Sequence, residues 1–206
     1  MARRTKEEAE LTRLAIMRSA LDIFCEKGYS KTTFDEIAKR INLTKGAVYW
    51  HFRNKPDIIT TLMKEAFYRA NEIISQKVPE ITSLDDLKAY FLYDAELIKD
   101  NSEYRKFLFF IIFQMEWSET LFNKIGGSVK EIRDFPIKKI KEALTNAQKS
   151  GEISPDINLD QMAVTVFSLW TGMLNYSISN NAVAGFPELF GKSFDCLIRG
   201  LKDERS

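Results

Sequence analysis

Hydrophobic residues recur along this chain with the period of an α-helix, and no segment alternates convincingly as a strand would. A long first helix is predicted from a capping box at Thr5 and Glu8 to a C-terminal stop at Gly28. A second capping box, Thr33 with Glu36, opens a short helix. Its apolar positions fall on one stripe, formed by Phe34, Ile37, Ala38 and Ile41.

A third and a fourth helix follow closely. The break at Asn42 and Leu43 precedes a helix that Thr44 caps and that ends near Phe52. Asn54 then caps a fourth helix, with a proline in its first turn, where proline is tolerated. Two short helices joined by a tight turn are thus placed between two long ones.

The remaining pattern predicts five more helices. Two amphipathic helices lie within residues 84–122, which carry ten of the 25 aromatic residues, and the others lie near residues 130–149, 159–180 and 187–202. The predicted fold class is therefore all-α, with about nine helices.

Composition narrows the class of protein only slightly. A hydrophobic fraction of 45% and a charged fraction of 29% are ordinary for a globular protein. The longest apolar run, Phe107–Phe113, is far too short to span a membrane, and the N-terminal charges precede no signal-peptide segment. Cys25 and Cys196 have no metal or redox spacing. We expect a cytoplasmic protein with reduced thiols and no membrane partner.

The net charge of +1 conceals an asymmetry. Residues 1–55 contain twelve Lys and Arg against seven Asp and Glu, a net +5, and residues 56–206 contain eighteen against twenty-two, a net −4. A basic N-terminal segment on a mildly acidic body indicates contact with a polyanion. The alternative is a chance imbalance of solvated charges.

No enzymatic motif accompanies this pattern. Phosphate-binding, dinucleotide-binding, zinc-protease and serine-hydrolase signatures are all missing, and a single histidine, His51, cannot supply a metal cluster. We therefore predict no catalytic residue, no metal site and no cofactor.

The two short helices, at 34–41 and 45–51, form a helix-turn-helix pattern. In such motifs the N-terminal residues of the second helix face base edges in the major groove of DNA. The free backbone N–H groups at that end attract phosphate, and Gly46 allows the backbone to approach closely. The alternative is that Tyr49 and Trp50 pack between helices and that the neighbouring lysines are merely solvated.

Lys55 adds to the DNA-binding interpretation. It falls in the first turn of the fourth helix, where a cation is unfavourable for the helix dipole. An external anion against this lysine would explain its position.

The segment 33–56, "TFDEIAKRINLTKGAVYWHFRNKP", resembles the DNA-binding domain of TetR-family repressors, as does the preceding "ALDIFCEKGYSKTT". The matching positions are Gly28, Tyr29, Thr32, Thr33, Ile37, Ala38, Thr44, Gly46, Tyr49, His51, Phe52 and Lys55. The start of the chain and "AVYWHF" look most like the AcrR-type branch of multidrug-efflux repressors. The specific resemblance covers about residues 3–60, and the remainder agrees only in length and helical layout.

The resemblance implies an Ω-shaped homodimer with a DNA-binding domain at residues 1–55 and a ligand-binding and dimerisation domain at residues 56–206. It implies DNA contacts from Thr44, Lys45, Gly46, Tyr49, Trp50 and His51 on the recognition helix, from Thr33 and Lys55 at its flanks, and from a basic arm of Arg3, Arg4 and Lys6.

An aromatic face suggests where a ligand binds. On a helix covering residues 103–119, Phe109, Phe113, Glu116 and Trp117 share one side. An acidic group on an apolar face needs a partner, water, or a cationic or hydrogen-bonding ligand. A largely apolar pocket is predicted beneath the long fourth helix, lined by this stripe. Trp170 is predicted to form an opposite wall, with Asn175 or Tyr176 as a polar anchor. The alternative is that the aromatic stripe is core.

The last two helices carry more apolar surface than a terminal pair is expected to expose. A four-helix dimer interface is predicted there, with packing inside a single chain as the alternative. Its candidate residues are Met162, Val166, Leu169, Met173, Phe190, Phe194, Leu197 and Leu201.

The predicted function is that of a ligand-responsive repressor. The empty homodimer would bind a near-palindromic operator in double-stranded DNA of a multidrug-efflux or related operon, and a small hydrophobic ligand would release it. Cationic ligands would be favoured if Glu116 faces the cavity. The alternatives are an activator or metabolite sensor of the same fold, or a ligand-binding or interaction module with vestigial DNA binding.

Overall fold

The computed structural model describes residues 6–202, and helices account for most of them. The ten α-helices of this range are α1 (Lys6–Lys27), α2 (Phe34–Arg40), α3 (Lys45–His51), α4 (Lys55–Ser75), α5 (Leu84–Asp100), α6 (Ser102–Phe109), α7 (Glu119–Ile125), α8 (Lys130–Lys149), α9 (Leu159–Ser179) and α10 (Phe186–Lys202). The all-α prediction is confirmed. Arg3 and Arg4 of the predicted basic arm and Thr5 of the first predicted capping box lie outside the described residues, whereas Lys6, the third arm residue, begins α1 and is exposed.

Contacts group the chain into two compact units. The first extends to Ala66 and includes Lys106–Lys130, and the second comprises Phe67–Arg105 and the chain from Glu131 onwards. The boundaries therefore fall inside α4 and α6. The predicted domain boundary after residue 55 separates a DNA-binding function from a ligand-binding one. The contacts do not test that separation, so it stays a prediction.

The N-terminal helices begin and end where local signals place them. Gly28 ends α1 with a left-handed φ of 91°, which a residue without Cβ adopts readily. Thr33 and Glu36 form the predicted capping box on α2, and Thr44 caps α3. Asn42 makes the turn between α2 and α3 with a φ of 55°.

The predicted helix over residues 103–119 is wrong. The α-helical bonding of α6 ends at Phe109 and a π-helical turn follows, closed by the Met115 N–H donating to the Phe110 carbonyl at 2.8 Å. Met115 is extended, and α7 begins only at Glu119. Because a π turn carries one extra residue, it rotates the side chains that follow, and the chain then leaves the helix altogether. Of the predicted aromatic face, the rings of Phe109 and Phe113 still meet, with centroids 5.4 Å apart, whereas Glu116 and Trp117 lie outside the helix.

An aromatic cluster forms the core of the second unit. The Trp170 ring centroid lies 4.8 Å from that of Phe91, and 4.9 Å from those of Phe186 and Phe190. Only 5% of Trp170 is exposed. Its predicted place as the wall of a ligand site is therefore wrong, because neighbouring rings already cover it.

Half of the predicted dimer residues belong to this core as well. Val166, Phe190, Phe194 and Leu201 are buried within the single chain. The exposed apolar side chains of α9 and α10 are instead Val164, Tyr176 and Leu189. Between residues 6 and 202, no helix combines the length and the apolar character that a membrane crossing requires.

Candidate nucleic-acid interface

The predicted recognition helix, α3, is held by a small apolar core. Val48 is fully buried, Phe52 is 2% exposed, and the Phe34 ring of α2 lies 4.8 Å from the ring of Tyr49. The Thr44 hydroxyl accepts the Ala47 N–H at 3.2 Å and satisfies one of the free donors at the helix start. These contacts fix which residues of α3 face outwards.

The outward face of α3 is rich in rings and cations. Trp50 is 73% exposed and Tyr49 is 54% exposed, so the alternative that both pack between helices is wrong. The Lys45 Nζ lies 5.8 Å from the Tyr49 ring centroid, and the His51 ring meets Trp50 edge-on at 4.5 Å. Large rings exposed beside cations on a firmly packed helix are typical of an interaction surface.

The structure leaves space around Gly46. A Cβ at this position would have the Thr44 hydroxyl, 3.8 Å away, as its nearest neighbour. Nothing within the described chain therefore requires glycine there, although glycine costs helix stability. The open space agrees with close approach by an external partner.

The hydroxyl and the N–H of Thr33 both make hydrogen bonds within the domain. Its hydroxyl donates to Glu36 Oε2 at 2.7 Å, and its backbone N–H donates to the same oxygen at 2.9 Å. The ion pair with Lys27 and these Thr33 bonds hold the pKa of the Glu36 carboxyl at about 2. The predicted cap is confirmed, and a phosphate contact by exposed Thr33 stays a prediction.

Lys55 is used inside the domain, contrary to its predicted role as a phosphate clamp. Its ammonium donates to the carbonyls of Tyr29 at 2.7 Å and Ser30 at 2.8 Å, and it lies 4.7 Å from the Tyr29 ring centroid. Desolvation lowers the pKa of the Lys55 ammonium. The cation in the first turn of α4 is thus explained by two carbonyls and a ring of the α1–α2 turn.

Glu116 binds the same turn, at Ser30. The Ser30 hydroxyl donates to Glu116 Oε2 at 2.5 Å and the Ser30 N–H donates to Oε1 at 3.3 Å. These bonds, helped by the nearby charge of Lys55, lower the pKa of the Glu116 carboxyl. Glu116 is exposed and paired, so its predicted place on an apolar ligand-binding face is wrong.

The predicted ligand residues are divided between the two units. Phe109, Phe113 and Trp117 belong to the first unit, where each is about two-fifths exposed, at 39%, 44% and 42%. Trp170 and Asn175 belong to the second unit, where Asn175 is exposed on α9.

Sequence reasoning missed how residues 106–116 attach to α1. Phe110 stacks on Phe24 at 5.5 Å, Lys106 pairs with Asp22 at 2.5 Å, and the Gln114 amide donates to the Cys25 carbonyl at 3.3 Å. The hydrogen-bonded partners lie 84 and 89 residues apart in the chain. No local pattern reports such distant pairs.

A cavity of about 1050 Å³ in the second unit borders α4, beneath which a pocket was predicted, but its lining was not predicted. It lies between the C-terminal part of α4, the segment 78–82, Tyr90 of α5 and one side of α8. Its lining includes Phe67, Tyr68, Asn71, Tyr90 and Phe135. A partly aromatic cavity of this size is adequate for a drug-sized molecule.

Comparison with known proteins agrees with this arrangement. Residues 16–62 match the model of the bacterial regulatory proteins of the tetR family. The chain is 30% identical over 177 residues to the HTH-type transcriptional regulator SrpR of Pseudomonas putida, covering 84% of this chain and 78% of the relative. It is 26% identical over 186 residues to the probable acrEF/envCD operon repressor of Escherichia coli K12, covering 88% and 83%.

The fold agrees along nearly the whole chain. The crystal structure of NalD, the secondary repressor of the MexAB-OprM multidrug efflux pump in Pseudomonas aeruginosa, superimposes with a TM-score of 0.74 at 22% identity, covering 92% of this chain and 96% of that one. The exposed, cationic outer face of α3, the family match that covers it and the relative that is 30% identical lead to one assignment. The chain belongs to the TetR family of bacterial regulatory proteins and is a helix-turn-helix, DNA-binding transcriptional regulator, not an enzyme.

Proposed function

We propose that this protein is a homodimeric repressor of an efflux or related operon, which leaves its operator when a small amphipathic molecule binds the second unit. The observation that carries the DNA-binding part is the outward face of α3, where Tyr49 and Trp50 are exposed beside Lys45. Repression of an operon is what the Escherichia coli relative's name states for that protein, and efflux is what is stated for NalD.

The proposed DNA contacts follow from which side chains face outwards. Thr44, Lys45, Gly46, Tyr49 and Trp50 are exposed and stay in the proposed interface, together with half-buried His51. Lys55 is not included among the proposed DNA contacts, because its ammonium donates hydrogen bonds to carbonyls of the α1–α2 turn. Exposed Arg53, just beyond α3, is a better phosphate contact.

The proposed ligand site moves to the second unit. The cavity between α4 and α8 combines rings with amide and hydroxyl groups, as sites for drug-sized molecules do. The contacts of residues 106–116 with α1 and its following turn supply a route by which movement of α6 reaches the DNA-binding helices. A ligand acts through this route only if it binds the released conformation better than the DNA-bound one.

The experiment that tests this function begins with operator selection. Purified full-length protein selects binding duplexes from a random DNA pool, and the enriched sequence is placed before a reporter gene. We expect an inverted repeat and reduced reporter expression when the protein is present. Failure to enrich any sequence would contradict the proposal, whereas increased expression would favour the activator alternative.

A further inference from the structure

One side chain on the outer face of α3 is a large apolar ring with a single polar atom. Trp50 is 73% exposed, which is the largest exposed fraction among the large hydrophobic side chains of residues 6–202. Its indole N–H donates to no group within those residues. The ring therefore offers a partner a broad apolar surface that carries one donor and no acceptor.

The indole is held in its exposed position from inside the domain. The half-buried His51 ring meets it edge-on, with the two centroids 4.5 Å apart and the planes at 86°. Val48 and Phe52 are buried, so α3 cannot rotate to cover the indole. A ring held in this way loses little side-chain freedom when a partner covers it, which favours binding.

Open space lies beside the indole, one turn earlier on α3. Gly46 comes four residues before Trp50 and is therefore on the same side of the helix. Apart from the neighbours of Gly46 in the chain, a Cβ there would have only the Thr44 hydroxyl within 4 Å, at 3.8 Å. The indole thus leaves this space unfilled, and a group as small as a methyl can lie between it and the backbone of Gly46.

Thymine is the base whose major-groove edge matches both features. It presents a 5-methyl group beside an acceptor, O4. Cytosine and adenine each present an amino group, which requires an acceptor that an indole lacks, and guanine presents two acceptors but no methyl group. An indole can cover the methyl group of thymine with its ring and donate its N–H to an acceptor on the base edge.

We propose that Trp50 reads a thymine in each half-site of the operator by covering its 5-methyl group, which points towards Gly46. The inference rests on the proposed function, because it specifies a base that the outer face of α3 recognises. Lys45 and Tyr49, which contact each other, carry an ammonium and a hydroxyl suited to phosphate oxygens, whereas Trp50 is suited to a base edge. It also explains the glycine, since a side chain at position 46 would occupy the place of the methyl group.

The test replaces thymine by uracil, which removes only the 5-methyl group, at one position at a time in both half-sites of the selected operator. We expect one position at which this replacement weakens binding by the full-length wild type about fourfold per half-site, because the burial of one methyl group is lost. In Trp50→Ala the same replacement should change the affinity less than about 1.5-fold, although this variant binds more weakly overall. Tyr49→Phe keeps the indole, so it is the matched control and should retain the fourfold effect.

Gly46→Ala is a second variant, and it is expected to fold because alanine favours a helix more than glycine does. Its own methyl group should take the place of the thymine methyl, so the variant should no longer prefer thymine to uracil at the sensitive position. A selected half-site without an enriched thymine, a wild type insensitive to uracil at every position, or an undiminished uracil effect in Trp50→Ala or Gly46→Ala would overturn the proposal. Absence of any selected operator would instead count against the proposed function.

Discussion

At the scale of single residues, Glu116 and Asp94 show how surroundings rather than residue type decide what a carboxylate does. Glu116 accepts two bonds from Ser30 and lies near Lys55, so its charged form is favoured. Asp94 has one long bond and poor solvation, so its neutral form is favoured. Glu116 looked like the ligand-binding acid because its neighbours in sequence are aromatic.

The raised pKa of the Asp94 carboxyl predicts how the stability of the protein depends on pH. Its pKa is raised on folding, so its contribution to stability is fully present below the unfolded pKa near 4 and is lost as pH rises through about 7. Asp94→Asn should therefore be more stable than the wild type at pH 8, by on the order of 1–3 kcal/mol, with a smaller difference at pH 5. Urea unfolding at both pH values measures this. A difference that does not vary with pH would show that the carboxyl is not desolvated in solution.

At the scale of helices, the DNA-binding segment was predictable and the segment around residue 110 was not. The ends of α2 and α3 depend on nearby residues such as Thr33, Asn42 and Thr44, whose effects are local and readable. The π turn after Phe109 and the extended residue Met115 leave the apolar pattern unchanged. The partners that hold them lie on α1 and in its following turn, so the periodicity suggested one continuous helix.

The candidate DNA-binding and ligand-binding residues were also predictable only in part. The residues facing outwards from α3 were predicted because one buried stripe determines the opposite face. The role of Lys55 was missed because its carbonyl partners, at Tyr29 and Ser30, carry no side-chain signal. The lining of the cavity beside α4 was not predicted because its walls also come from α5 and α8, and that adjacency is not local information.

Alanine variants of Lys45 and Lys55 together test whether Lys45 contacts DNA phosphate and Lys55 does not. Lys45→Ala should weaken operator binding and reduce the log–log salt slope by about 0.9, because one phosphate contact and its released counterion are lost. Lys55→Ala should leave the slope unchanged but lower the free energy of unfolding by about 1–3 kcal/mol, because two carbonyls lose a charged donor. Salt titrations and urea unfolding of both variants measure the two effects. A reduced slope in Lys55→Ala would restore it as a phosphate contact.

At the scale of the whole molecule, reading an inverted repeat requires two copies of α3 at a fixed spacing. The recognition helices must lie about 34–36 Å apart, or a multiple of one helical turn, to enter major grooves on one face of the duplex. The proposed dimer face is the exposed side of α9 and α10, with Val164, Tyr176 and Leu189. Gly172 and Gly200 have open space where a side chain would lie, which allows another helix to approach closely.

A charged substitution at Val164 tests the proposed dimer face. It is 54% exposed on α9, so Val164→Lys should not disturb the core but should place two unpaired charges in a dimer interface. We expect a monomer by light scattering with at least a tenfold loss of operator affinity. Ile73→Lys, at a 40% exposed position of α4, is the matched control and should remain dimeric. A dimeric Val164→Lys variant would exclude this side of α9 from the interface.

The most direct test of the central claim, DNA recognition by the outer face of α3, is fluorescence anisotropy of the selected operator with matched variants. Tyr49→Phe removes one exposed hydroxyl and should weaken binding about five- to tenfold, and Trp50→Ala should weaken it more, with unchanged thermal stability in both. Tyr93→Phe, at a 42% exposed position of α5, should bind as the wild type does. Wild-type affinity in all three variants would contradict the account, because α3 would then present these side chains to something other than DNA.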